Sequence, residues 1–151
     1  MVLQLVLEAV DRHFDETRIL LKQLTDENIQ SKPVDTGRPL GEIILHMIRA
    51  FEFYSRGVAT GKWEPLSYNL NKYSDVNAIQ MLYEEVVKKT RAFLAEITPA
   101  DAMKTISPSA KSAPAIAFLL EMLEHSIQHR GQILVYYRLL GIEPKSIPYL
   151  I

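Results

Sequence analysis

The sequence contains no cysteine, and its 151 residues include only four histidines and a single tryptophan. Without cysteine the chain can form no disulfide, no thiolate nucleophile and no Cys-ligated zinc or iron–sulfur cluster. Any transition metal must therefore be held by imidazole and carboxylate side chains.

The chain also lacks an excess of charge and a long apolar run. Seventeen basic and eighteen acidic residues leave a formal net charge of −1, and no concentrated basic face attracts nucleic acid or an anionic membrane. The longest apolar run, residues 113–120, contains Pro114 and is far shorter than the roughly 20 residues that span a bilayer. The amino terminus has neither a basic leader nor a small-residue cleavage site. We expect a soluble, cytoplasmic protein.

Hydrophobic periodicity predicts one all-α domain over residues 1–151. Apolar residues recur every three or four positions in four long segments, and no run alternates as a strand does. The predicted helices span about residues 2–24, 39–59, 75–97 and 113–140, with Ser74 and Ser112 as N-caps and Gly141 as the final stop. The expected fold is a four-helix bundle, whose interior often builds metal sites from side chains on facing helices.

The fourth helix carries two histidines, His125 and His129, on a face that is otherwise apolar. Residues four apart on a helix have Cβ atoms about 5–6 Å apart, so both imidazoles can reach one metal ion. A third histidine, His46, lies on the buried face of the second predicted helix. The alternative is that each is an ordinary interior histidine bonded to a carbonyl. Because two histidines share one helix face and a third lies on another buried face, the pattern favours an open metal site with three nitrogen ligands.

The other polar candidates are weaker. Glu42 and Glu121 each precede a candidate ligand by one helical turn, so either could orient an imidazole or complete the coordination. Each taken alone is more simply a helix-surface charge. His13 lies outside the apolar stripe of the first helix and is expected to be a solvated surface residue. Arg130 and Gly131 are expected to serve packing, the glycine by allowing a close helix approach, and Gln132 to form a polar wall of the metal cavity.

Two hydrolase motifs are missing. A metalloprotease helix reads His-Glu-x-x-His, but Ser126 occupies the position of the glutamate. No Gly-x-Ser-x-Gly elbow occurs, and the fold has no strand to carry one. Peptide hydrolysis by either route is therefore unsupported.

Two segments carry a family resemblance. Residues 125–132, His-x-x-x-His-Arg-Gly-Gln, with the Tyr-Tyr-Arg-Leu-Leu-Gly that follows at 136–141, resemble the last helix of the DinB/YfiT-like superfamily of metal-dependent proteins. Residues 39–47, ending in His46-Met47, are similar to that family's second-helix motif. The resemblance implies an up-down-down-up bundle, a divalent metal on His46, His125 and His129, and frequently a homodimer.

The resemblance leaves the activity open, because characterised relatives include thiol-dependent S-transferases while many others have no known reaction. The chain has no evident arginine cluster for a large anionic thiol. We expect a zinc or nickel ion, since imidazole suits both, which activates a thiol cosubstrate against a small electrophile. The alternatives are a hydrolase that uses metal-bound hydroxide, with Glu42 or Glu121 as base, and a non-catalytic metal- or ligand-binding stress protein.

The sequence also predicts surroundings for the metal and a role for the carboxyl-terminal tail. A mainly apolar pocket is expected, lined by Phe53, Met122, Tyr136 and Trp63. The apolar tail, residues 147–151, is expected to cover either its own bundle or a second copy of the chain.

Overall fold

The computed structural model describes residues 1–148, so Tyr149, Leu150 and Ile151 of the predicted tail lie outside the described residues. The elements in chain order are four long helices, two short helices and two short strands: α1 (Val2–Leu21), α2 (Asp26–Gln30), α3 (Leu40–Thr60), α4 (Val76–Ala95), α5 (Pro99–Met103), β1 (Thr105–Ile106), β2 (Ala113–Pro114) and α6 (Ala115–Leu139). The predicted helical bundle is confirmed.

Contacts between the long helices fix their directions. On α1 and α6, the partners advance together along the chain, from Glu16 with Arg130 to Leu20 with Tyr137, so these helices are parallel. On α1 and α4 the partners run in opposite senses, from Asp11 with Arg91 to Arg18 with Glu84. On α3 and α6 they do so as well, from His46 with His125 to Tyr54 with Glu121. The resulting order is up-down-down-up.

The core lies where the apolar stripes of the four long helices meet. Its largest fully buried side chains include Phe14, Phe51, Tyr83 and Tyr137. Fully burying a large apolar side chain stabilises the fold by about 1.5–3 kcal/mol. Both tyrosine hydroxyls are satisfied within the core, since Tyr83 donates to the carbonyl of Phe14 and Tyr137 to that of Leu20, at 2.6 and 2.5 Å.

Helix ends differ from the predictions by a few residues. The first helix ends at Leu21 rather than at residue 24. The N-cap of α4 is Asp75, whose carboxylate accepts from the backbone N–H of Ala78, rather than the neighbouring Ser74. Both residue types cap helices well, so composition alone does not choose between them. Gly141 does follow the last helix with a φ of 76°.

The start of the last helix is shifted by a feature that periodicity did not predict. Strands β1 and β2 pair as a two-residue antiparallel ladder that leads into α6. The Ser112 hydroxyl therefore bonds Ser107 at 2.7 Å instead of capping a helix, and α6 begins after Pro114. Two-residue strands are too short to show an alternating pattern.

The segment between α3 and α4 folds back against α3. A Cβ built on Gly57 would overlap the Trp63 indole, so the absence of a side chain lets the indole lie directly on the helix. Further along, the Tyr68 hydroxyl donates to buried Glu52 at 2.7 Å. Within residues 1–148, no helix has both the length and the apolar character needed to cross a membrane.

Candidate metal centre

The three histidines of the site come from two helices that pack closely along the bundle. His46 lies in the first third of α3, between the buried residues Leu45 and Met47. His125 and His129 lie one turn apart on α6, which runs antiparallel to α3 and makes the bundle's most extensive contact with it. Packing of the two apolar stripes therefore brings the histidine faces together.

The structure brings the three side chains, here called the imidazole triad, to one point. The Nε2 atom of His125 lies 3.0 Å from Nε2 of His46 and 3.1 Å from Nε2 of His129. One ligand nitrogen from each ring lies within 4.8 Å of the others, and all three residues are half-buried. Among residues 1–148 no carboxylate joins this group.

The electrostatics keep at least two of the rings neutral. The pKa of His46 is lowered from 6.5 to about 4, first by burial and then by the nearby His125, His129 and Arg49. Burial likewise lowers the pKa of His125 to about 4, with contributions from His129 and Arg49. At neutral pH these imidazoles are therefore unprotonated, which is the state that binds metal.

Hydrogen bonds around the triad decide where the ring protons lie. Arg49 has no lone pair and donates from Nη2 to Nδ1 of His46 at 2.7 Å, so the proton of neutral His46 is on Nε2, facing His125. His125 then accepts at Nε2 and carries its own proton on Nδ1. That Nδ1 is buried and has no partner among the described residues.

The third ring has the opposite arrangement. In its neutral form His129 donates from Nδ1 to the side-chain oxygen of Gln132 at 2.6 Å, which leaves a lone pair on its Nε2. This lone pair faces the lone pair of His125 Nε2 across 3.1 Å. Two acceptors at hydrogen-bond distance repel unless a positive charge lies between them. A cation bound by the Nε2 atoms would remove this repulsion, so the residues present fit a divalent metal.

Comparisons with known proteins identify the family of the chain. Residues 9–133 match the family model described as the DinB superfamily. The chain belongs to the DinB superfamily. A curated DinB-like relative, the uncharacterized protein YjoA of Bacillus subtilis, is 25% identical over 133 residues, which cover 85% of this chain and 84% of YjoA.

Solved DinB-like structures share the fold. The crystal structure of YjoA from Bacillus subtilis superposes with a TM-score of 0.78 at 22% identity and covers 95% of each chain. A DinB-like protein from Bacillus cereus gives a TM-score of 0.77 at 21% identity, covering 97% of this chain and 95% of that one. At these identities the likeness shows the common fold.

In this DinB protein the triad lies between two cavities. One, here called the apolar pocket, has a volume of about 360 Å³ and is lined by His46, Arg49, Ala50, Phe53, Tyr54, Pro65, Leu66 and His125. The other has a volume of about 290 Å³ and includes Gln132 and Tyr136 in its wall, together with His46 and His129. His46 borders both, so ligands could approach the triad from either side.

The predicted pocket lining is partly correct. Phe53 lines the apolar pocket, and Tyr136 and Gln132 line the second cavity. Met122 is fully buried in the core, and Trp63 stands behind Phe53, with 5.4 Å between the ring centroids. Neither lines a cavity beside the triad.

The two candidate carboxylates have other partners. Glu42 accepts from the backbone N–H of Leu70 at 2.8 Å and so holds the α3–α4 segment against α3. Glu121 is exposed and lies near Tyr54, whose pKa is raised first by burial and then by the charge of this carboxylate. Both partners lie outside the triad.

The prediction that His13 is a solvated surface residue is wrong. His13 is only 2% exposed, and its Nδ1 accepts from Arg130 at 2.8 Å. Arg130 also forms an ion pair with Glu16, and we call these three residues the α1–α6 cluster. Burial and then the Arg130 charge lower the pKa of His13 to about 3.

The expected packing role of the neighbouring residues also changes. Arg130 joins α1 to α6 through a charged contact with Glu16 rather than through packing alone. Gly131 is exposed, and a Cβ built on it meets nothing within 4 Å. No helix of the described chain approaches Gly131, so that prediction is wrong.

Sequence reasoning missed the arginine beside the triad. Arg49 follows His46 by three positions, which places both side chains on one helix face, and this spacing was a readable signal. Arg38 precedes α3, borders the second cavity, and also lowers the pKa of His46. The triad is therefore flanked by positive charge on both sides.

Proposed function

We propose that this DinB protein binds one divalent metal ion, zinc or nickel, through Nε2 of His46, His125 and His129. The carrying observation is the convergence of three imidazole nitrogens, two of which present facing lone pairs at 3.1 Å. Three neutral nitrogens leave coordination positions for a further ligand, as catalytic sites do and closed structural sites do not.

We further propose that the site transfers a low-molecular-weight thiol to a small electrophile. A bound metal ion supplies Lewis acidity, which lowers the pKa of a thiol and makes its thiolate available near neutral pH. The apolar pocket supports this reaction, because Phe53, Pro65 and Leu66 provide an apolar surface for the electrophile next to His46 and His125. With a chloroalkyl acceptor, the S–C bond forms as the C–Cl bond breaks, and the thiol proton and chloride leave to solvent.

Metal-dependent hydrolysis is the second candidate, with water in place of the thiol. It needs a base beside the triad, but no carboxylate of the described residues joins the triad. Glu42 accepts from the Leu70 N–H, and Glu121 is exposed near Tyr54. This disfavours hydrolysis relative to thiol transfer. A non-catalytic role in binding a metal or a small ligand is the third candidate, and the same assay addresses it.

The assay uses metal-loaded protein with monochlorobimane and a panel of low-molecular-weight thiols, in parallel with ester and amide substrates. We expect a fluorescent conjugate whose formation stops with a chelator and with His125→Ala. Gln128→Ala, an exposed position on the same helix, is the matched control and should keep the rate. Ester or amide cleavage without a thiol would favour the hydrolase, and no product in either panel would favour the binding role.

We also propose that the protein forms a homodimer. The support is a row of exposed apolar side chains along α6, where Leu120, Ile127 and Val135 are 40%, 45% and 54% exposed. Ile147 of the tail is buried against its own chain, so this part of the tail favours intramolecular docking over a role at the interface. A monomer mass of about 17 kDa by light scattering at high micromolar concentration would exclude the dimer.

A further inference from the structure

The apolar pocket has one formal charge, and that charge is positive. Its wall is made of aliphatic and aromatic side chains, the edges of two triad rings, the Tyr54 hydroxyl and the guanidinium of Arg49. No acidic residue lines it. A volume of about 360 Å³ is at the small end of the range for ligand sites, so a one-ring molecule fits and a large cosubstrate does not.

Arg49 differs from other arginines that contact side chains in this protein. Arg18 is paired with Glu84, Arg91 with Asp11 and Arg130 with Glu16. Within residues 1–148, Arg49 forms no ion pair, and its side-chain hydrogen bond goes to the uncharged Nδ1 of His46. A guanidinium carries five N–H donors in a planar fork that matches a carboxylate. Arg49 uses one donor for the ring nitrogen of His46. Its other donors and its whole positive charge therefore have no partner, although the side chain is half-buried.

The contact with His46 links Arg49 to the metal. As long as Arg49 donates to Nδ1, the proton of neutral His46 stays on Nε2, the nitrogen that faces the triad centre. Ligation through Nε2 requires that proton to be on Nδ1, where Arg49 cannot then donate. Arg49 must turn away from His46 when the metal binds, and an anion in the pocket would receive it.

We infer that the apolar pocket binds a small organic carboxylate, with Arg49 as its counter-ion and the apolar part of the molecule against Phe53 and Leu66. This deepens the proposed function and rests on it, since the carboxylate-bearing molecule is then the electrophile that the metal-activated thiol attacks. The planar fork of the guanidinium matches the two oxygens of a carboxylate. Carboxylate and metal should bind cooperatively, because each favours the Arg49 position that the other needs.

The first test measures binding of benzoate, and of neutral benzamide as its matched control, to zinc-loaded protein by calorimetry. We expect benzoate to bind, and benzamide to bind at least tenfold more weakly. Benzamide loses a charged hydrogen bond, which is worth about 1.5–3 kcal/mol. Arg49→Met should weaken benzoate at least tenfold while keeping its zinc. Arg38→Met removes the same charge from the other side of His46 and should change benzoate affinity less than about twofold.

Several results would overturn the inference. Unchanged benzoate affinity in zinc-loaded Arg49→Met would mean that the carboxylate binds the metal directly. A loss of benzoate affinity in Arg38→Met, and not in Arg49→Met, would place the anion in the second cavity. Tighter binding of phenyl phosphate than of benzoate would show that the pocket does not prefer carboxylates.

Zinc affinity gives an independent readout. Benzoate should increase the zinc affinity of wild type. Arg49→Met should bind zinc more tightly than wild type does, and benzoate should not change its zinc affinity. If wild type bound no zinc at all, the proposed function would fail. Arg49-dependent benzoate binding by the metal-free protein would in that case still support the carboxylate site.

Discussion

Two histidine–arginine pairs in this bundle have almost the same local geometry and opposite surroundings. In the α1–α6 cluster, Arg130 donates to Nδ1 of His13 at 2.8 Å, and in the triad Arg49 donates to Nδ1 of His46 at 2.7 Å. Both histidines have pKa values well below 6.5. The difference is in what completes each group.

The α1–α6 cluster is satisfied internally. Glu16 neutralises Arg130, and the other ring nitrogen of His13 lies 3.3 Å from the hydroxyl of Thr17. The triad has no carboxylate, an unpaired arginine and a buried ring nitrogen without a partner among the described residues. A buried histidine with all its partners stabilises the fold. One whose lone pair faces another lone pair indicates a site for something outside the chain.

The largest expected effect separates the two groups by metal content. Protein purified without a histidine tag should contain about one divalent metal per chain, as a single three-histidine site holds one ion. Replacing His46, His125 or His129 with alanine should remove most of it, because two imidazoles seldom retain the ion against a chelating buffer. Elemental analysis after gel filtration measures the occupancy.

His13→Ala is the matched control for that measurement. It should keep the metal and lose stability, since it breaks the α1–α6 cluster and leaves the triad intact. Full occupancy in His46→Ala would show that the three rings do not act together.

A second, intermediate effect concerns the buried ion pair. Glu16→Gln leaves Arg130 without a countercharge at a position where its side chain is only 14% exposed. We expect a loss of about 2–4 kcal/mol in the free energy of unfolding, since removing one partner of a buried pair leaves an uncompensated charge. Urea denaturation measures the change.

The control for that variant is Glu84→Gln, which removes the partner of Arg18 in a pair whose glutamate is 54% exposed. It should cost less than about 1 kcal/mol. Metal content should be unchanged in both variants. Equal losses of stability would contradict the distinction between the buried and the surface pair.

The smallest expected effect is on the pH dependence of the free energy of unfolding. The pKa of His13 is about 3 in the folded protein against 6.5 ordinarily, so the unfolded chain takes up the proton first as the pH falls. Stability should therefore decrease between about pH 6.5 and 3, by about 1.4 kcal/mol per pH unit for one such group. In metal-free His13→Gln the free energy of unfolding should depend less steeply on pH, because unfolding then takes up one proton fewer.

In metal-free wild type, His46 and His125 add to the same slope down to their pKa values of about 4. Urea unfolding at pH 7, 6 and 5 with a chelator present measures all three contributions. Identical slopes for wild type and His13→Gln would mean that His13 titrates normally in the folded state.

Sequence reasoning predicted the bundle well because its signals are local. The apolar stripe through Val10, Phe14 and Leu21 needs only the helical repeat, and the i, i+4 spacing of His125 and His129 puts both rings on one face of α6. His46 was recognised because it too lies on a buried face. These features depend on neighbours within one or two turns.

The errors concern partners that are distant in the chain. His13 lies at the edge of the α1 stripe, and the residues that contact its ring include Phe51 on α3 and Arg130 on α6, far along the chain. Whether Arg49 has an acidic partner likewise depends on how other elements pack around it. Charge pairing between elements leaves no periodic trace, so the contrast between a satisfied and an unsatisfied histidine is visible only in three dimensions.

The single tryptophan gives this protein a built-in optical probe. The Trp63 indole lies flat on Gly57 and packs against Phe53, whose ring borders the apolar pocket. Tryptophan absorbs at longer wavelengths than tyrosine and phenylalanine do. Excitation at the long-wavelength edge of its band therefore reports only on Trp63 and its surroundings. A ligand that displaces the Phe53 ring changes the indole environment directly, so pocket occupancy can be followed by intrinsic fluorescence without any label.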